Sequence, residues 1–230
     1  MAVDLSNAVS GWDCFWQGLG VAGAVIFFGR FYLQWIASEL KHESVVPVGF
    51  WYMSSVGSLM LLAYGVYSQS PVGVLSYSFN MVVYARNLVH IWRAKGGWTR
   101  FRSVLFHSSV GVVLMIAVCL VVYTWRHEYE STRAAAASAA LRNWLWIGVG
   151  VFGQGLFACR FLLQWLVTEV KRQSVIPVAF WYISLVAAVL MMASYSQQSE
   201  WLYTIGVGST LAIYARNLWL IHLRKAPAPE

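Results

Sequence analysis

Tyr84-Ala85-Arg86-Asn87-Leu88 closes one membrane-length apolar stretch, and Tyr214-Ala215-Arg216-Asn217-Leu218 closes another. The two segments stand 130 residues apart (214 − 84). The same offset carries Arg30-Phe31 onto Arg160-Phe161 and Leu33-Gln34-Trp35 onto Leu163-Gln164-Trp165. It carries Glu39 onto Glu169, Lys41 onto Lys171, Ser44-Val45 onto Ser174-Val175 and Pro47-Val48 onto Pro177-Val178. Phe50-Trp51-Tyr52 and Ser54 fall on Phe180-Trp181-Tyr182 and Ser184. No gap is needed from Arg30 to Leu88, so the chain is a tandem duplication. Its shared residues are mostly polar or aromatic ones inside apolar segments. Packing against lipid does not explain arginine there. An arginine at the centre of a span costs about 2.5–3.5 kcal/mol on insertion scales and usually marks a path or a binding site.

The 230 residues are 59% hydrophobic and 11% charged, with mean hydropathy +0.59. A soluble domain carries about 25% charged residues, so composition assigns the chain to the membrane. The net charge of +7 does not point to nucleic acid, because the basic residues flank apolar spans. That placement is a topology signal. Asp4 and Asp13, rather than a basic region, precede the first span, so no cleaved signal peptide is expected. Cys14, Cys119 and Cys159 are odd in number and far apart, which argues against a disulfide framework or a Cys-x-x-Cys metal site. The five histidines lack ligand-like spacing, and neither a phosphate-binding glycine loop nor Gly-x-Ser-x-Gly occurs. No metal, cofactor or catalytic residue is expected.

A membrane-crossing helix needs about 20 apolar residues. Seven stretches qualify, at 15–37, 48–67, 72–93, 103–124, 144–167, 178–195 and 201–223. The connections Gln69-Ser70-Pro71 and Gln197-Gln198-Ser199 are short and predict antiparallel hairpins. The fourth stretch has no counterpart in the repeat. The expected fold is therefore an all-α membrane protein of seven transmembrane helices in a 3+1+3 arrangement. Its parts are a first three-helix repeat at 15–95, a linker helix and outer loop at 96–143, and a second repeat at 144–225. Three helices cross an odd number of times, so the extra span makes the repeats parallel, as in SWEET-type transporters. With the N-terminus outside, Lys41, Arg93, Lys95, Arg100, Arg102, Lys171, Arg172, Arg224 and Lys225 lie inside. Only Arg126, Arg133 and Arg142 lie outside, which favours N-out and C-in. Residues 126–142 form either a plain tether or a loop with a short alanine helix over the outer face.

Arg30 and Gln34 are four apart and share a helix face, as do Arg160 and Gln164. Arg30, Arg86, Arg160 and Arg216 all fall in the inner half of their spans. Glu39 and Glu169 stand one turn beyond Trp35 and Trp165. They are either packing partners of Arg86 and Arg216 or part of a site. Two arginines and one nearby acid leave a positive surplus in each repeat. An anionic ligand would balance it, and the planar guanidinium fork suits phosphate. Asn87 and Asn217 add amide groups beside it. Tyr84 and Tyr214 share a stripe with these asparagines. Trp51 and Trp181 either anchor the interface or stack on a sugar or lipid. Ser44 and Ser174 either cap the following helices, with Pro47 and Pro177 in the first turn, or join Lys41 and Lys171 in holding an anion. The candidate ligand-binding set is thus Arg30, Gln34, Glu39, Trp51, Tyr84, Arg86, Asn87, Arg160, Gln164, Glu169, Trp181, Tyr214, Arg216 and Asn217.

Arg-Phe-x-Leu-Gln-Trp, then Glu, Ser-Val-x-Pro-x-x-Phe-Trp and Tyr-x-Arg-Asn-Leu, resembles the lipid A biosynthesis N-terminal domain family. Two copies cover nearly the whole chain apart from the fourth span and the tails. The resemblance implies three-helix membrane units, similar to PQ-loop and SemiSWEET units but with valine after Pro47 and Pro177. It further implies bacterial envelope glycolipid metabolism at the inner membrane, in association with a membrane glycosyltransferase. The expected function is binding and translocation of an anionic glycolipid or a polyprenyl-phosphate-linked sugar. The alternatives are a non-transporting scaffold of a membrane glycosyltransferase and a SWEET-like small-sugar carrier. The sequence shows neither glycosyltransferase catalytic acids nor a nucleotide-binding loop, so the chain is not expected to be an enzyme.

Overall fold

Apolar runs bounded by turn residues become seven helices among the described residues. They are α1 Gly11–Lys41, α2 Val48–Tyr67, α3 Pro71–Ala94, α4 Arg100–Arg133, α5 Ala137–Lys171, α6 Val178–Gln197 and α7 Trp201–Leu223. The structure, a computed structural model, describes residues 11–41, 46–96, 99–133, 135–171 and 177–223. Within these, the side chains of Ser38, Val82, Arg86, His90, Trp165, Thr168, Glu169, Lys171, Leu220 and Leu223 lie outside the description. The helices coincide with the seven expected stretches, except that α4 and α5 run on. The stretch 126–142, expected as a loop or tether, is mainly the end of α4 and the start of α5, with Ala135 and Ala136 outside both.

Pro47 and Pro177 occupy the N-cap positions of α2 and α6, with φ/ψ of −66/151° and −67/151° and no side-chain cap. They stand one step before the first turn where sequence placed them. The fixed proline φ suits the extended cap, and each carbonyl accepts the amide of Phe50 or Phe180 at 3.0 Å. Ser44 and Ser174 lie outside the described residues. Both hairpins close by the same device. After α2, Ser70 N–H donates to Gly65 O (2.8 Å) and Gln69 N–H to Val66 O (3.3 Å). After α6, Glu200 N–H donates to Tyr195 O (2.9 Å) and Ser199 N–H to Ser196 O (3.1 Å). These are Schellman closures. They put Gln69 (φ 54°) and Ser199 (φ 60°) in the left-handed region that glycine usually fills. Ser70 then caps α3 by accepting Gly73 N–H at 2.9 Å, with Pro71 opening the helix.

Contacts divide the chain into two units, Met1–Tyr129 and Glu130–Glu230. In the first, α1 packs on α2 and α2 on α3. Trp16 near the start of α1 stacks on Tyr67 at the end of α2 (5.4 Å, 9°), and Tyr67 Oη donates to Asp13 Oδ1 at 2.5 Å. Trp92 Nε1 near the end of α3 donates to Tyr52 Oη near the start of α2 (2.8 Å). Neighbouring helices therefore run antiparallel. Phe27 of α1 reaches α3 through Tyr77 (5.2 Å) and Tyr84 (6.3 Å). The closest approach of α1 and α2 is at Gly57, where a Cβ would lie 2.7 Å from Phe27 Cβ and 2.8 Å from Phe27 N and Cα. Helix α4 adds Phe106 against Trp92 (5.0 Å) and Trp125 Nε1 donating to Pro71 O (3.3 Å).

In the second unit α5 packs on α6 and α6 on α7. Gly153 takes the close-approach role, since a Cβ there would lie 2.8 Å from Met191 Cγ. Ser194 Oγ donates to Trp146 O across α5 and α6 (2.8 Å). Tyr182 Oη and His222 Nε2, 3.2 Å apart, hold the positions that Tyr52 and Trp92 hold in the first unit.

Among the described residues, four helical stretches are long and apolar enough to cross a membrane: Gly11–Lys41, Arg100–Arg133, Ala137–Gln164 and Val178–Gln197. Helices α2, α3 and α7 have spanning length, at 20, 24 and 23 residues. In the repeat, Ser55, Gly57 and Ser58 of α2 stand where α6 has Leu185, Ala187 and Ala188. Apolar side chains such as Val112, Met115, Ile116, Val118 and Val122 of α4 point outward, as association with a membrane requires.

Candidate functional site

Each unit encloses one arginine in a box of aromatic rings. Arg30 is only 5% exposed. Its guanidinium carbon lies 3.5 Å from the ring centre of Phe27, 4.8 Å from Phe31, and 5.3 Å from both Phe50 and Tyr84. Arg160 is 7% exposed. Its corresponding distances are 4.3 Å to Phe157, 4.8 Å to Phe161, 5.2 Å to Phe180 and 5.7 Å to Tyr214. Every wall residue of one box maps onto the other by the 130-residue offset. The first or second phenylalanine of each box comes from the arginine's own helix, three residues before it or next to it. The others are brought by the following two helices.

The ring faces carry negative quadrupole charge and attract the cation, by about 2 kcal/mol where a contact is desolvated. Burying a charge costs several kcal/mol, so the rings offset part of that cost. In the second unit hydroxyls offset more. Arg160 Nη1 donates to Ser184 Oγ at 2.9 Å and to Tyr214 Oη at 3.1 Å. Ser184 Oγ spends its own proton on Phe180 O at 2.6 Å, which leaves its lone pairs for the arginine. Ser54 Oγ makes the same bond to Phe50 O, also 2.6 Å, in the first unit. Arg160 Nε is sealed from solvent and has no hydrogen-bond partner.

Of the expected site residues, the structure gathers Arg30, Trp51 and Tyr84 in one unit and Arg160, Trp181 and Tyr214 in the other. The tryptophans form an outer wall, 6.4 Å from Tyr84 and 6.3 Å from Tyr214. Gln34 and Gln164 are half-buried one turn further along α1 and α5. Glu39 is exposed and accepts Trp35 Nε1–H at 3.0 Å. Asn87 and Asn217 each spend an amide donor on their own helix, to Val83 O and Ile213 O at 2.7 Å. Arg216 is half-buried, while the side chains of Arg86 and Glu169 lie outside the described residues. Sequence reasoning left Phe27, Phe31, Phe50 and Ser54, and their copies Phe157, Phe161, Phe180 and Ser184, out of the candidate site. Their signal was the repeat itself, which extends upstream of Arg30 to Phe27 and Phe157.

The profile of the Lipid A Biosynthesis N-terminal domain family matches residues 19–89 and 149–219. The chain is similar to lipid-A-disaccharide synthases of several chlamydiae. That of Chlamydia felis is 27% identical over 219 residues, covering 92% of this chain and 34% of the relative. That of Chlamydia abortus is 30% identical over 205 residues, covering 86% and 32%. That of Chlamydia trachomatis serovar D is 29% identical over 200 residues, covering 85% and 32%. The chain thus spans about a third of the length of the curated relatives it matches. No solved structure matches it. The expectation that the chain is not an enzyme is corrected by these relatives, which bear an enzyme's name and align with most of it. The two matched segments take in both arginine boxes and more than half of the sequence, and the chain belongs to the Lipid A Biosynthesis N-terminal domain family.

Proposed function

We propose that this chain acts in lipid A-type glycosyl transfer as the bilayer-embedded part that holds a lipid-A-disaccharide synthase to its anionic glycolipid. The observation that carries this reading is the extent of similarity. It covers 92% of this chain inside a relative named for disaccharide synthesis, yet only 34% of that relative. Outward apolar helices supply the membrane attachment, and the two boxed arginines supply positive charge inside it. Holding the glycolipid for transfer fits the comparisons better than carrying it across the bilayer, since the relatives are named for a synthase. A membrane-bound glycosyltransferase, in the same polypeptide or beside it, is the partner.

The test is co-isolation and activity. Tagged chain purified from native membranes should retain lipid-A-disaccharide synthase, and its depletion should lower both the membrane-bound synthase and disaccharide formation. A headgroup that changes leaflet in liposomes containing this chain alone, with disaccharide formation indifferent to it, would sink the holding role in favour of translocation.

The proposed setting is the bacterial inner membrane, crossed seven times with parallel repeats, the N-terminus outside and the C-terminus inside. The charge asymmetry of the connections supports it. In a background lacking Cys14, Cys119 and Cys159, a cysteine introduced as Ser68→Cys or Ser199→Cys should react with an impermeant maleimide in intact spheroplasts. Lys95→Cys should react only after permeabilisation. The reverse pattern would remove both the orientation and the parallel repeats that depend on it.

A further inference from the structure

We infer that Arg160 is the receiving group for one phosphate of a lipid, through the edge of its guanidinium formed by Nε and Nη2. This rests on the glycolipid reading above and names the chemistry of its site. The geometry begins with what Arg160 has already spent. Its hydrogen bonds are both made by Nη1, to Ser184 Oγ (2.9 Å) and Tyr214 Oη (3.1 Å). These pin one corner of the guanidinium to α6 and α7. Among the described residues, Nε is sealed and has no partner, whereas Nη2 is not one of the sealed, partnerless atoms and no hydrogen bond is made from it. Nε–H and one Nη2–H point the same way. Together they are the side-on edge of the fork, which takes two oxygens of a phosphate or carboxylate at once.

The neighbours explain why that edge is left without a protein hydrogen-bond partner. Phe157, Phe161 and Phe180 pack around the cation and offer no oxygen that could saturate it. Among the described residues the partners of Arg160 are neutral hydroxyls, so its positive charge is held in place and not cancelled by them. A buried charge of this kind is costly without a counter-ion. An arriving anion would complete the hydrogen bonds and neutralise the charge together.

The source of the phosphate follows from position. Arg160 lies within Ala137–Gln164, a stretch long and apolar enough to cross a membrane. Phe161 beside it is 38% exposed, and Leu162 and Leu166 on the same helix are exposed as well. A soluble anion would have to leave water for an apolar wall. A lipid phosphate arrives with its tail already in that environment.

The experiment uses the full chain in dodecylmaltoside with three additives: dioctanoyl phosphatidic acid, dioctanoylglycerol and inorganic phosphate. Native mass spectrometry counts retained lipid, and thermal melting reads the unliganded fold. An Arg30→Met background isolates the second box. There, phosphatidic acid should be retained and dioctanoylglycerol should not. Adding Arg160→Lys should weaken retention by roughly ten-fold, the scale of losing a charge-assisted fork. If Arg30→Met lowers recovery, the same comparison in the otherwise wild-type chain should show Arg160→Lys losing one of the retained molecules. Unchanged retention with a lowered melting point would make Arg160 an internal strut and overturn the inference. Equal occupancy by inorganic phosphate would overturn the lipid source. The synthase experiment above contains no Arg160 variant. Its failure leaves this binding result standing, and a failure here leaves the synthase role standing.

Discussion

Gly57→Leu is expected to leave little folded protein, because it drives a side chain into the backbone of the neighbouring helix. A Cβ alone would stand 2.8 Å from Phe27 N and Cα, inside any allowed contact. Phe27 is not free to yield. Its ring packs on Tyr77 at 5.2 Å and forms the nearest wall of the Arg30 box at 3.5 Å. Overpacking typically costs about 1–3 kcal/mol, and more when backbone must move. Here α1 and α2 must separate, so the loss should exceed about 3 kcal/mol, a large part of a typical 5–15 kcal/mol stability. Gly111→Leu and Gly155→Leu are the controls, since nothing lies within 4 Å of a Cβ at either position. Melting of the detergent-purified variants decides it. A Gly57→Leu protein that melts with the two controls would show that α1 and α2 do not meet as described.

Arg160→Met should separate fold from function. Methionine is flexible and apolar and fits an aromatic box. Methionine removes the desolvation penalty of the buried charge, several kcal/mol, together with the ring attraction, about 2 kcal/mol where a contact is desolvated. Against this, Tyr214 Oη loses the Arg160 donor, while Ser184 keeps its bond to Phe180 O at 2.6 Å. A hydroxyl left unsatisfied costs about 1–3 kcal/mol. These effects nearly cancel, so the melting point should stay within a few degrees of the parent. Retention of phosphatidic acid at the second box should nevertheless fall by roughly ten-fold or more. A variant that unfolds would show that the charge itself supports the bundle. One that folds and still binds would take the ligand away from Arg160.

Much of the architecture was legible because it is local. Serine, glutamine and proline between apolar runs predicted both hairpins, and the structure closes them with matching backbone bonds. The extension of α4 to Arg133 and of α5 back to Ala137 was not legible as such. No proline or glycine between 126 and 142 marked where α4 would stop, and the break falls inside the alanine run, whose propensity favours helix. Spanning character was read uniformly over seven stretches, whereas among the described residues four meet the length and apolarity for crossing. Ser54 and Ser58 of α2 and Ser76 of α3 are buried inside their own unit.

The 130-residue duplication, the two hairpin turns and the family motif were determined by sequence alone, because repetition and turn chemistry each act over neighbouring residues. Sequence also singled out Arg30, Arg86, Arg160 and Arg216, since the cost of arginine in an apolar stretch depends on residue type and depth. It could not say which of them are boxed. That needed tertiary structure: the box around Arg160 joins Phe157 and Phe161 of α5 to Phe180 and Ser184 of α6 and Tyr214 of α7. Those partners come from three helices, and only packing decides which arginine they surround. The same holds for Gly57. Its sequence position in α2 looks like that of any helical glycine, and its importance comes from the Phe27 backbone across the interface.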